Sequence, residues 1–306
     1  MILLLLALAS PSFATRVSFE DQPCPLDDQD TIRVFERISA NTHGGFDSDG
    51  ATYSSQGQFR TYAVATCGQS LFSLYAGDVG LTLSPEDRQR LGLALAEERA
   101  ALKDPGAPTV WERYGIAARM YSELGRGPLF LADLWIEASW TARDEAVGVF
   151  LGLRGPAAAR EALRLGETEW KSATDRAARK TLAYNLARIA HRGGYGPERD
   201  RWLGEFEALS PHTPAEATAL ARFRTMTTTV EPALQDRAIA ELRRGLEARE
   251  LPIETRMRAT YLLADLLRRR GQAKEALGLY RLVMVEERGS KELRELATTL
   301  ANELAG

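Results

Sequence analysis

Cys24 and Cys67 are the two cysteines of this 306-residue chain, and each opens a four-residue segment: Cys24-Pro25-Leu26-Asp27 and Cys67-Gly68-Gln69-Ser70. A Cys-Pro-x-Cys knuckle paired with a Cys-x-x-Cys knuckle holds zinc with four thiolates at the tips of hairpins. Here Asp27 and Ser70 stand where the second cysteine of each knuckle would be. A degenerate ligand set is then Cys24, Asp27 and Cys67 with His43 as the fourth member, since zinc accepts carboxylate oxygen and imidazole nitrogen as well as thiolate. Asp47-Ser48-Asp49-Gly50 has the spacing of half a calcium loop without its downstream bidentate Glu. Asx turns built on glycine account for it equally well.

Other chemistry is sparse. Histidine occurs at 43, 191 and 212. His191 falls near the end of a predicted helix, and His212 lies in a Ser-Pro-His-Thr-Pro linker. No Gly-x-Ser-x-Gly, His-Glu-x-x-His or P-loop spacing is present, so no catalytic residue and no cofactor are assigned. A Cys67–His43 nucleophile pair would need an activated thiolate. Of the 39 basic residues only five are Lys. Arginine's planar fork suits carboxylate and phosphate, but a GC-rich coding sequence explains the bias more simply. Arg268-Arg269-Arg270 precedes Gly271, where positive charge complements a helix C-terminus. The five tryptophans are spread along the helical region, as core packing requires. A net charge of −3 supplies no field of one sign for nucleic acid or an anionic membrane.

Three regions must position these groups. Residues 1–14 read as a secretory signal, with an apolar run from Ile2 to Ala9 and small residues at Ser12 and Ala14 placing cleavage before Thr15. The run is too short to span a bilayer, which takes about 20 apolar residues, and no later segment does so. Residues 15–83 form a small acidic module, with nine acids against four Arg and no Lys. Its β-favouring runs are Arg16–Glu20, Thr31–Ser39 and Gln58–Thr66, separated by a Gly- and Asp-rich loop at 41–50. Residues 84–306 read as about ten helices without a convincing strand. Ser84-Pro85-Glu86-Asp87 is the first start signal, and Gly or Pro breaks follow at 125–128, 155–156, 193–194, 210–211, 231–232, 251–252 and 271.

Within Ala259–Met284, small Ala264 and Ala276 flank Gly271, and Tyr280 follows nine residues after it. This pattern resembles the tetratricopeptide repeat, with small residues where antiparallel helices touch, Gly at the turn and an aromatic closing the next groove. Looser copies surround Gly125 and Gly194, so the three turn glycines lie 69 and 77 residues apart, near two 34-residue units each. The stretch from Cys24 to Asp78, carried by CPLD at 24–27, NTHGGFDSDG at 41–50 and TCGQSLFSLYAGD at 66–78, resembles the N-terminal module of bacterial proteins joining a double-CxxC ribbon to TPR-like helices. That family lends no activity. The resemblance implies a ribbon-derived fold that holds Cys24 and Cys67 close enough, in an oxidising compartment, for a disulfide. The zinc set and two free thiols stand as the alternatives.

The sequence thus predicts a mainly α protein: a TPR-like α-solenoid preceded by a small β-rich, ribbon-like module. The expected role is a periplasmic or secreted interaction or scaffold protein that binds a protein or peptide partner through its helical surface. A zinc-binding protein and an enzyme with an unrecognised site are the alternatives.

Overall fold

A computed structural model describes residues 16–39, 41–55, 57–148, 152–248 and 250–305. The expected leader and its cleavage point before Thr15 lie outside them. The N-terminal part opens with an antiparallel hairpin of β1 (Arg16–Pro23) and β2 (Thr31–Ser39), in which Phe19 faces Phe35 and Asp21 faces Arg33. Two-residue strands β3 (Gly45–Phe46) and β4 (Thr52–Tyr53) then bracket the Asp-rich turn. The third β-favouring run splits. Its first half becomes a single helical turn, α1 (Arg60–Ala63), and its second half becomes β5 (Val64–Thr66), paired with β6 (Ser73–Tyr75).

Eleven longer helices follow: α2 (Pro85–Ala101), α3 (Val110–Glu123), α4 (Pro128–Val147), α5 (Gly155–Ser172), α6 (Arg176–Gly193), α7 (Gly196–Ala208), α8 (Pro214–Thr225), α9 (Glu231–Leu246), α10 (Ile253–Arg269), α11 (Ala273–Val285) and α12 (Lys291–Ala305). Among the described residues, one strand interrupts them. The two-residue β7 (Leu153–Arg154) runs parallel to β3, so the β-rich part borrows a strand from between α4 and α5. Gly45 makes this possible: at φ +90°, a Cβ there would lie 1.8 Å from the Leu153 carbonyl oxygen.

Local chemistry explains the helix ends. The Ser84 hydroxyl accepts from the Asp87 N–H at 3.0 Å to start α2. Thr109 with Glu112 and Thr213 with Glu216 form reciprocal capping boxes at α3 and α8. Gly125, Gly194 and Gly271 share one solution at helix C-termini, with φ of +75°, +74° and +76°. In each, the glycine N–H donates three residues back and the next N–H donates five back, as Gly271 to Arg268 and Gln272 to Leu267. These are Schellman turns, whose left-handed residue is usually glycine because a Cβ is disfavoured there. The repeat-like spacing of the three glycines therefore corresponds to one recurring turn.

Around the last of these turns, Ala264, Ala276 and Tyr280 are fully buried between α10 and α11. Antiparallel pairs recur at α3/α4, α5/α6, α6/α7 and α11/α12. A simple file, in which each unit touches only its neighbours, does not describe the whole array, because the most extensive helix contact joins α4 to α9. These two run antiparallel: Arg143 near the end of α4 meets Glu231 at the start of α9, and Leu129 lies against Gly245 at the other end. In addition, α12 touches α5, which brings the end of the array back toward its middle. The β-rich part joins the same core, with the Tyr114 hydroxyl donating to the Arg60 carbonyl and the Tyr121 hydroxyl accepting from the Tyr75 N–H.

Candidate functional site

The turn Asp47-Ser48-Asp49-Gly50 lies inside the helical array. The Asp47 N–H donates to the Ala51 carbonyl at 2.8 Å and the Gly50 N–H to the Asp47 carbonyl at 3.1 Å, which closes the turn and aims both carboxylates at the helices. Arg143 of α4 is the hub. Its Nη1 donates to Asp47 Oδ2 (3.0 Å) and Asp49 Oδ1 (3.2 Å), its Nη2 to Asp49 Oδ2 (2.7 Å), and its Nε to Glu231 Oε1 (2.9 Å). Arg192 of α6 takes the other oxygen of Asp47 through Nε at 2.9 Å and lies over the Tyr53 ring, 3.8 Å from its centroid.

On the opposite side, Ser48 is held by α10. Its hydroxyl donates to Asp265 and accepts from Arg268 and Arg269, each at 3.0 Å, while the Tyr261 hydroxyl donates to its carbonyl at 2.6 Å. Asp265 also accepts from Arg268, Arg269 and Tyr280. Beyond its own helix, Arg268 donates to the carbonyls of Gly193 and Gly194, so it caps the end of α6. A further pair, Arg60 with Asp144, is bidentate at 2.6 and 2.7 Å. Five arginines thus meet five acids (Asp47, Asp49, Asp144, Glu231 and Asp265) in the interior.

Burial raises a carboxyl and neighbouring cations lower it; at Asp144 burial outweighs Arg60 and the carboxyl ends raised. Burial pushes Asp49 up, but Arg143 and Arg269 outweigh it and hold the carboxyl well below the usual range. Asp265 is lowered in the same way against its burial by Arg268 and Arg269. Glu231 is pushed up by burial, yet Arg143 and His191 leave it at about 2. His191 goes down because burial outweighs the pull of Glu231. A neutral imidazole fits its contacts: Nε2–H donates to Glu231 Oε2 at 2.6 Å, and Nδ1 accepts from Arg199 at 3.5 Å.

These directions set the response to acid. A carboxyl lowered in the fold contributes stability above its unfolded value that is lost as pH falls through the folded value. For Glu231 the window runs from 4.5 down to about 2, and full loss amounts to about 3 kcal/mol. Depressed His191 adds a loss that begins as pH falls below 6.5. The urea midpoint should therefore be flat above pH 7 and fall steeply below pH 4.5. Glu231→Gln should flatten the acid limb. An acid limb of equal slope in the variant would refute the assignment.

One wall of the interior opens to solvent. A cleft of about 580 Å³ lies between the start of α7, the start of α9 and the end of α10, floored by His191, Glu231 and Arg269. Its rim includes Thr227 and Thr228 from a π-helical stretch, Met226–Val230, that joins α8 to α9. Such stretches are rare and recur at functional sites.

The two cysteines form a disulfide, with Cα atoms 5.8 Å apart, that ties the chain after β1 to the end of β5. Asp30 is the acid beside them, and Cys24, Asp30 and Cys67 are the one cluster of metal-ligand type among the described residues. Asp30 already accepts from the N–H groups of Thr31, Gln69 and Ser70 and from the Ser70 hydroxyl. Of the degenerate zinc set, Asp27 accepts from the Gln29 N–H at the exposed turn, and His43 sits in the 41–44 loop with its N–H donating to Asn41. Neither is brought to the cysteines. The half-calcium-loop acids Asp47 and Asp49 are taken up by guanidinium groups. His212, expected in an open linker, stacks on Phe206 at 4.7 Å.

The buried cluster was not anticipated. The arginine excess was its one signal, since guanidinium is the cation best suited to buried bidentate pairing. No family model matches the chain, and no curated protein or solved structure matches it either.

Proposed function

We propose that this is an exported, TPR-like helical interaction protein that takes an apolar segment of a partner protein into the groove at the open end of the α10/α11 hairpin. The observation that carries this reading is a groove of about 480 Å³ lined by Leu246, Ile253, Met257, Leu279, Leu282 and Val285. Leu282 and Val285 are 60% and 74% exposed, while the interior of the array is already filled by the 47–50 turn. Contiguous exposed apolar side chains of this kind mark interaction surfaces. Export is supported by the disulfide, which persists in oxidising compartments. Among the described residues, no helix is long and apolar enough to cross a membrane.

The test is capture of a partner by the mature chain from the exported fraction, compared with a Leu282→Glu/Val285→Glu variant. Loss of the captured protein in the variant, with an unchanged circular dichroism spectrum, is the expected result. Equal capture by both would sink the reading.

A further inference from the structure

The cleft at the other end of the same hairpin has a different character. Among the described residues, Thr227 is 2% exposed and its hydroxyl has no hydrogen-bond partner, although it stands on the cleft wall. Buried hydroxyls are nearly always satisfied, so an orphan one on a residue that lines a cleft is a vacant half of an interaction. Beside it, Arg199 spends Nε on Asp200 and Nη1 on His191 and the Thr227 carbonyl, and among the described residues Nη2 has no hydrogen-bond partner. Arg270 is held to Asp236 through Nε and Nη2, and among the described residues its Nη1 has no hydrogen-bond partner. The first turn of α7, at Gly196-Pro197, reaches the cleft with no side-chain cap. A helix N-terminus carries partial positive charge, and because Pro197 has no N–H the backbone donor of these two residues is Gly196.

Two acids also line the cleft. Glu231 is committed to Arg143, His191 and Gln235, and Asp200 to Arg199. The unspent donors at the cleft are thus guanidinium N–H groups and the Thr227 hydroxyl, and the acceptor that remains, the second oxygen of Asp200, is 61% exposed to solvent.

We propose that this cleft binds the oxyanion end of a small ligand, a carboxylate or a phosphate, between Arg199, Arg270, the Thr227 hydroxyl and the start of α7. A volume of about 580 Å³ falls in the range of small-molecule sites. The proposal goes beyond the partner groove and does not rest on it, since the two lie at opposite ends of α10/α11.

The experiment is calorimetric titration of the oxidised mature chain with inorganic phosphate and with succinate, at ionic strength held constant with chloride. Saturable binding of one anion is expected, and which one binds identifies the ligand as a phosphate or a carboxylate. Arg199→Gln should weaken it at least tenfold. Thr227→Val, which replaces an unpaired hydroxyl by a methyl of the same shape, should fold normally and weaken it several-fold. Binding in the Leu282→Glu/Val285→Glu variant should match the parent chain, which separates this site from the partner surface. No binding of either anion, or binding that Thr227→Val leaves unchanged, overturns the proposal.

Discussion

An Arg143→Met chain should lose most of its stability. The side chain is fully buried and supplies the positive charge shared by Asp47, Asp49 and Glu231. Removing it leaves Asp47 with Arg192, Asp49 with Arg269 at 3.6 Å, and Glu231 with no guanidinium, in a low-dielectric interior. Breaking a single buried pair from one side costs about 3–5 kcal/mol, a large share of the roughly 5–15 kcal/mol that holds a typical protein folded. The urea midpoint should collapse, or the variant should fail to accumulate as folded protein. Adding Asp47→Asn and Asp49→Asn to the same chain removes two of those three charges. The triple variant should recover part of the loss, a non-additivity expected only within one network. A single Arg143→Met variant that loses under about 1 kcal/mol would mean that the network does not support the fold.

Reduction of the Cys24–Cys67 bond should have the second-largest effect. The bond closes a loop with a sequence separation of 43, and in the chain-entropy model opening such a loop lowers stability by about 4 kcal/mol. The bond is buried, so reduction should be slow in the native state and fast in mild denaturant. Intact mass should rise by two protons on reduction, and the urea midpoint should fall in the same sample. A Cys24→Ala/Cys67→Ala chain should reproduce the lower midpoint without reductant. An unchanged mass on reduction would refute the bond, and an unchanged midpoint would refute its contribution.

How much of this was legible varied with the range of the interaction. Caps and turns act over three to five residues, so Ser84, Gly125, Gly194 and Gly271 announce helix ends in the sequence and the structure places ends there. Within the run Gln58–Thr66 only Val64–Thr66 became a strand, and the first half turned helical where Arg60 reaches Asp144, 84 residues along the chain. Arg268-Arg269 read as a local helix cap. It does cap a helix, but that helix is α6, and its main partners are Ser48 and Asp265. The Asp47-Ser48-Asp49 turn was recognisable as a turn. That it would lie among helices was not, because no local pattern distinguishes a solvated acid from one awaiting an arginine 94 residues away. The cleft donors were invisible for the same reason.

The turn glycines and caps can form as soon as their own helices exist, but the 47–50 turn obeys another clock. Ser48 is tied to Tyr261 and Arg269 across 213 and 221 residues, and contacts of such separation come late because loop closure must precede them. A chain delivered N-terminus first therefore presents its acidic turn long before its receptors are made. Asp47 and Asp49 can meet the arginines of α4 and α6 first, whereas Ser48 has its partners only once α10 arrives. Docking of α10 onto Ser48 is then expected as a late step, which closes the turn off from water.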